Sequence, residues 1–171
     1  FDQSKGICTD SRKMRSGQIF FALKGDNFNG NHFANEALKN GASAVVVDEI
    51  IEALDYDNRN VFLVENVLTY LQNFSTHHRK KWGKTIIGLT GSNGKTTVKE
   101  LLFNVLNQGY STHATEGNYN NHIGVPLTLL GIRNSHDIVI VEMGANHIGE
   151  IKTLCEITLP TYGYITNFGL A

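Results

Sequence analysis

The sequence predicts an α/β fold: a small N-terminal α/β unit followed by part of a second, more regular parallel-sheet domain. Three observations carry this prediction. Short apolar, β-branched runs alternate with segments of helical periodicity, the pattern of parallel strands joined by right-handed crossovers. The composition, 41% apolar and 18% charged, is too apolar for a disordered chain. The length of 171 residues accommodates one large domain or two small ones.

The elements follow in order. Ile19-Phe20-Phe21-Ala22-Leu23 is uninterrupted apolar sequence between Gly17 and Gly25, as in a buried strand. A loop rich in Asn and Gly covers residues 25–31. Phe33, Ala34, Ala37 and Leu38 then share one helix face, with Gly41 where a left-handed cap belongs. Ala44-Val45-Val46-Val47 and Val61-Phe62-Leu63-Val64 are strands. Val67, Leu68, Leu71, Phe74 and His78 recur at helical spacing, and that helix ends in His77-His78-Arg79-Lys80-Lys81. The basic run reads either as a nucleic-acid patch or as cations favoured at a helix C-terminus. A net charge of -1 supports the second reading, so no nucleic-acid partner is expected. The helix end at Trp82-Gly83 marks the expected boundary between domains 1–82 and 83–171.

Beyond it, Thr85-Ile86-Ile87-Gly88-Leu89 is a strand, and a glycine-rich turn leads into a helix. Val98, Leu101, Leu102, Val105 and Leu106 form that helix's apolar face, with Gly109 past its end. Asp137-Ile138-Val139-Ile140-Val141 is a strand covered on both faces. A helix spans residues 148–157 ahead of Pro160, and Gly163-Tyr164-Ile165-Thr166 is the last strand. No apolar run approaches the ~18 residues of a membrane span, and no secretory signal is visible. Absence of membrane insertion and a cytoplasmic location are therefore expected. Cys8 and Cys155 form neither a disulfide framework nor a CxxC pair, so free thiols are expected. No two of the seven histidines have the helical spacing, with a carboxylate, of a zinc site. His147 reads either as an ordinary loop histidine or as a substrate contact.

The sharpest chemical signal is Gly91-Ser92-Asn93-Gly94-Lys95-Thr96-Thr97, between an apolar strand and a helix. Glycines let successive N–H groups point at one anion, and the helix start adds unpaired donors. Lys95 is placed to reach phosphates and the Thr96 hydroxyl to ligate Mg²⁺. The usual pattern has a glycine where Leu89 stands, so this is a variant loop with Gly-x-x-Gly-Lys-Thr as its core. Glu142, at the end of the next clear strand, supplies a carboxylate at the sheet edge where ligands bind. Its alternative is a solvated strand-end acid. Asn118, Asn120 and Asn121 lie within four residues, and read either as turn formers or as groups orienting substrate and metal-bound water.

These residues resemble the Mur ligase family, ATP-dependent amide-forming ligases of peptidoglycan synthesis. Thr90-Gly91-Ser92-Asn93-Gly94-Lys95-Thr96 is similar to their variant P-loop, whose core folylpolyglutamate and cyanophycin synthetases share. Glu142-Met143-Gly144-Ala145-Asn146-His147 and Gly117-Asn118-Tyr119-Asn120-Asn121-His122 resemble one branch. That branch joins D-alanyl-D-alanine to UDP-N-acetylmuramoyl-tripeptide. Asp10-Ser11-Arg12 and Phe20-Phe21-Ala22-Leu23-Lys24-Gly25 resemble the domain that holds the UDP end of the substrate.

The resemblance implies the following roles. Gly91, Ser92, Asn93, Gly94, Lys95, Thr96 and Thr97 would hold the ATP phosphates, with Asn167 close to the nucleotide. Thr96 and Glu142 would ligate Mg²⁺. Lys95 and Asn121 would act in catalysis, while Ser11, Arg12, Asn118 and Asn121 would contact substrate. A monomer is expected. The chain starts at Phe1 rather than Met and ends at Ala171 without a helix stop, so a piece of a longer protein, inactive alone, is expected. Three other readings stay open: another ligase of the same family, a P-loop kinase or NTPase sharing only the loop, and a UDP-sugar-binding module without catalysis.

Overall fold

The computed structural model describes residues 4–52 and 54–169; the chain ends quoted above, Phe1 and Ala171, lie outside the described residues. The chain divides into two compact units, Phe1–Leu71 and Gln72–Ala171.

In the first unit, β1 (Ile7–Cys8), β2 (Ile19–Phe21), β5 (Ala44–Val47) and β6 (Val61–Leu63) form a parallel sheet in the order β1-β2-β5-β6. Phe20 pairs with Val45 and Val46 with Phe62. Helix α1 (Ala34–Lys39) packs on β5. Phe20, Ala22, Ala34, Ala37, Val45 and Val47 make the core. The strand expected to run to Leu23 ends at Phe21, because the Leu23 N–H turns back to the Phe21 carbonyl at 2.9 Å. The expected Asn/Gly loop is a short antiparallel hairpin of β3 (Lys24–Gly25) and β4 (Phe28–Asn29), followed by a 3₁₀ turn. The Asn31 side chain, fully buried, fastens that turn to β5: its Nδ2 donates to Asp48 Oδ1 at 2.8 Å, and its Oδ1 accepts the Asp48 N–H.

Helix α2 (Val67–Trp82) crosses from the first unit into the second. The sequence places the boundary after this helix, whereas the contacts divide the chain inside it. From Gln72 onward the helix's side chains bond within the second unit: Gln72 to the His122 carbonyl, Thr76 to that of Ile157, Trp82 to that of Arg133, and Arg79 to the end of the last helix. The Arg79 guanidinium is buried, donates to the Thr158 and Leu159 carbonyls at 3.2–3.3 Å, and lies 5.7 Å from the Trp82 ring centroid. Desolvation pulls its pKa below the ordinary arginine value. The basic run therefore contains structural anchors, Arg79 and His78, whose ring nitrogen lies 3.0 Å from the Ile132 carbonyl, rather than five equivalent surface charges.

The second unit continues with β7 (Thr85–Thr90), α3 (Lys95–Leu106), β8 (Thr112–Ala114), α4 (Gly124–Leu130), β9 (Ile138–Glu142), α5 (Glu150–Thr158) and β10 (Tyr162–Ile165). Its sheet is parallel throughout, in the order β10-β7-β9-β8. Leu89 pairs with Glu142 and Thr90 with Ile165, so three carboxyl ends adjoin at one edge. Ile86, Val125, Leu129, Val139, Val141, Leu154 and Ile157 form the core.

Strand β8 and helix α4 have no counterpart in the sequence reading. The first is three residues long, and the second opens behind an Asn-rich turn with Pro126 in its first turn, where proline is tolerated. Helix α3 also sits differently from the expectation. Leu101 and Val105 are 62% and 69% exposed, while Lys99 is buried at 3%. The helix is rotated by bonds at its start, where Thr96 reaches β9 and Lys99 reaches the end of β8.

Candidate functional site

The edge where β7, β9 and β10 end is occupied by the Gly91–Gly94 turn. Gly91 (φ +136°) and Gly94 (φ +77°) adopt backbone conformations that favour glycine. A Cβ at Gly91 would also run into the Thr166 hydroxyl. Past β10, the Thr166 hydroxyl donates to the Asn93 carbonyl at 2.6 Å, and Asn167 Oδ1 accepts the Asn93 N–H at 2.9 Å. The Asn167 carbonyl accepts the Ser92 N–H at 3.3 Å. The rear of the turn is thus pinned by the segment following β10.

The front remains open. Among the described residues, the N–H groups of Gly94, Lys95, Thr96 and Thr97 meet no acceptor, as expected for the first turn of a helix whose N-cap, Gly94, has no capping side chain. The run of unpaired N–H donors is shorter than the sequence suggests. It begins at Gly94, because Ser92 and Asn93 already donate to Asn167. Lys95 Nζ donates to the Gly91 carbonyl at 2.7 Å, across the mouth of the turn.

Thr96 and Glu142 are brought together. The Thr96 hydroxyl lies 3.1 and 3.3 Å from the two Glu142 carboxyl oxygens, and Glu142 is only 2% exposed. Asn120 Nδ2 donates to Glu142 Oε1 at 2.9 Å, and the Asn120 carbonyl accepts the Gly144 N–H. A hydroxyl and a carboxylate beside open N–H donors form an oxygen-rich set that fits a hard divalent cation shared with phosphate. Among the described residues, no group of three or more His, Cys, Asp or Glu could hold a metal ion.

Beside the loop lies a cleft of about 1030 Å³, bordered by Lys95, by the 118–122 turn and by residues 144–156. Asn118 and Asn121 both line it. Asn121 also starts α4, because its Oδ1 accepts the N–H groups of Ile123 and Gly124 at 3.1 and 2.9 Å. Its Nδ2 meets no acceptor among the described residues. Glu150 Oε2 accepts the Asn146 and His147 N–H groups at 2.6 and 2.9 Å, fixing a second stretch of the cleft wall. Those bonds, first from His147 and then from Asn146, hold its carboxyl below the usual glutamate range. His147 and the fully exposed Ile148 line the same wall.

Ser11 and Arg12 belong to the first unit. Ser11 is buried in a 3₁₀ turn capped by Asp10, and Arg12 is exposed. The Arg12 guanidinium donates two bonds of 2.8 Å to the Asp10 carboxyl, which this pairing holds below its usual range. Asn120, which sequence reasoning read only as one of three clustered asparagines, and Glu150, which it did not single out, both border the site. The Asn118–Asn121 cluster was the available signal for the first. A glutamate three residues after His147, able to cap the preceding turn, was the signal for the second.

Comparison with known proteins is consistent with this geometry. The family described as Mur ligase middle domain matches residues 89–171, and the one described as Mur ligase family, catalytic domain, matches residues 3–79. The UDP-N-acetylmuramoyl-tripeptide--D-alanyl-D-alanine ligase of Synechocystis is 47% identical over 165 residues, covering 96% of this chain. The chain belongs to the Mur ligase family.

Bacillus subtilis has a similar protein of the same name, 41% identical over 96% of this chain. Among solved Mur ligases, MurF from Acinetobacter baumannii superposes with a TM-score of 0.89 at 37% identity over 98% of this chain. MurF from Thermotoga maritima in complex with ADP superposes with a TM-score of 0.81 at 35% identity over 92% of this chain. The chain spans 36% of the length of each of these four proteins. Among the described residues, no helix is long and apolar enough to cross a membrane.

Proposed function

We propose that this chain carries the ATP-phosphate edge and the UDP-sugar-binding unit of a ligase of peptidoglycan precursor synthesis. In this reading, the ligase is cytoplasmic and monomeric and joins D-alanyl-D-alanine to UDP-N-acetylmuramoyl-tripeptide. Residues 83–171 form the first part of the ATP-binding domain. Residues 1–82 hold the UDP end of the substrate, with Ser11 and Arg12 as contacts. The observation that carries this reading is the open cradle at the start of α3: four unpaired N–H groups, the Lys95 amine, and the Thr96–Glu142 pair on one sheet edge. The names and coverage of the relatives support the choice of substrates.

The chemistry follows from charge. A tripeptide carboxylate oxygen attacks the γ-phosphorus of ATP, the bond to the ADP oxygen breaks, and an acyl phosphate results. The amine of D-alanyl-D-alanine then attacks the acyl carbon, and phosphate leaves with the bonding pair. Both partners of the first step are anionic, so positioning and charge neutralisation dominate the barrier. Lys95 releases the Gly91 carbonyl and turns to the β/γ-phosphates, while the amides of Gly94 to Thr97 take the remaining phosphate oxygens. Thr96 and Glu142 would hold Mg²⁺, which would supply further charge neutralisation there. Asn118 and Asn121 orient the peptide substrate in the adjoining cleft, Asn121 through its amide nitrogen. Asn167 acts on the nucleotide through the loop amides that it holds.

Lys95→Ala in the full-length protein tests the reading. Acyl-phosphate formation is expected to fall by about 10²-fold or more, with affinity for UDP-N-acetylmuramoyl-tripeptide unchanged. Unchanged turnover would refute the assignment. Failure to bind the UDP substrate in the wild type would point instead to an NTPase that shares only the loop.

A further inference from the structure

Lys99 is 3% exposed, and none of the roles above uses it. An ammonium group is expensive to bury unless partners compensate. Its partners are the Thr115 carbonyl at 2.8 Å and Glu100 Oε1 at 2.9 Å. Thr115 is itself 2% exposed, and its hydroxyl accepts the Glu142 N–H at 2.9 Å. The Glu142 carboxyl in turn accepts the Thr96 hydroxyl at 3.1 Å. Thr96 and Lys99 are three residues apart on α3 and share one face. The bonds therefore close a ring: from α3 to the end of β8, across to the end of β9, and back to α3 one turn earlier. Asn120, a few residues past Thr115, braces the same carboxyl from the cleft side at 2.9 Å.

We infer that Lys99 is a positioning residue for the metal-nucleotide edge: by holding the Thr115 carbonyl, it sets the Glu142 carboxyl against the Thr96 hydroxyl before any ligand arrives. The inference rests on the reading of Thr96 and Glu142 given above. A lysine that served only to fasten α3 would affect stability without affecting the metal. One that presets a ligand pair acts on the metal's contribution to nucleotide binding. Groups that orient a metal ligand from behind change metal affinity by about 10- to 100-fold when removed.

The experiment measures ADP affinity by calorimetry, with Mg²⁺ and with EDTA, for wild type, Lys99→Met, Lys99→Arg and Thr115→Val in the full-length protein. The ratio of the two affinities is the Mg²⁺ gain. Lys99→Met and Thr115→Val are expected to lower this gain about 10-fold or more, with affinity in EDTA unchanged. Lys99→Arg, which can still donate to the Thr115 carbonyl, is expected to restore most of it. An unchanged gain in Lys99→Met, or an equal loss with and without Mg²⁺, overturns the inference. Amide hydrogen exchange of Glu142 provides a readout that needs no nucleotide. Its N–H is expected to exchange faster in Lys99→Met and to stay protected in Lys99→Arg, while Ile86 to Leu89 on β7 stay protected in both. If wild type and Lys95→Ala show no Mg²⁺ gain, the nucleotide reading has failed. The Glu142 exchange rate then decides the positioning claim: faster exchange supports it and unchanged exchange overturns it.

Discussion

Gly91 is the residue at which backbone geometry and neighbouring chemistry meet most tightly. Its φ of +136° is strained for any L side chain, and the Thr166 hydroxyl occupies the space a Cβ would need. Gly91→Ala is expected to destabilise the second unit by about 1–3 kcal/mol and to weaken nucleotide binding by displacing Thr166 from the Asn93 carbonyl. Gly163→Ala is the control, because a Cβ there meets nothing within 4 Å. Thermal melts and ADP titration of the two variants check the contrast; equal behaviour would contradict it. At this scale the sequence was informative about residue types and less so about their roles. Lys95 and Thr96 at a helix start and Glu142 at a strand end could be picked out by type and place, and the fold brings Thr96 and Glu142 together. The turn-forming bonds of Asn121 fit one of the two readings of the asparagine cluster, whereas the clamp that Asn167 places on the glycine-rich turn was not legible. Asn167 satisfies a backbone N–H that only the folded chain brings near it.

Among the elements, α2 shows how one buried cation ties a helix to its neighbours. Arg79 covers the carbonyls at the end of α5, where Leu159 sits in a left-handed conformation with φ +46°. Arg79→Ala leaves those acceptors buried without a donor, and is expected to cost about 1–3 kcal/mol. Lys80→Ala, at an exposed position, is expected to change stability by less than about 0.5 kcal/mol. Chemical denaturation of both variants measures the difference. The strands β2, β5, β6, β7, β9 and β10, and the helices α1, α2, α3 and α5, could be read from apolar runs and helical spacing. What escaped was short or disguised. β1 and β8 have two and three residues, and α4 begins among asparagines with a proline inside. The face that α3 turns inward also escaped, because hydrophobicity favours Leu101 and Val105. Hydrogen bonds from Thr96 and Lys99 override that preference.

For the molecule as a whole, stability is expected to depend on two stacked histidines. The His113 and His136 rings are parallel to within 2°, with centroids 5.0 Å apart. His113 Nε2 lies 3.0 Å from the Thr128 carbonyl, and His136 Nδ1 accepts the Arg133 N–H. Burial, chiefly, lowers both pKa values below 6.5; for His136 the neighbouring His113, Arg133 and Lys84 add to it. The folded state therefore resists protons that the unfolded chain accepts. The stabilisation is complete above about pH 6.5 and is lost as pH falls through that value toward the folded pKa values. Melting temperature is expected to drop over this range, and His113→Gln to flatten the slope. An unchanged slope would show that the pair does not control it. The paired carboxyls Asp10, Asp48, Glu49, Asp137 and Glu150, whose pKa values are lowered, lose their contribution only at more acidic pH. The rear support of the phosphate turn has a consequence for biogenesis. Ser92 and Asn93 are held by groups more than seventy positions later in the chain. A ribosome making this protein releases the turn long before its clamp emerges. The site therefore acquires its final shape only after Thr166 and Asn167 have left the exit tunnel, and a nascent chain halted short of them presents a slack loop where the mature protein presents a receptor.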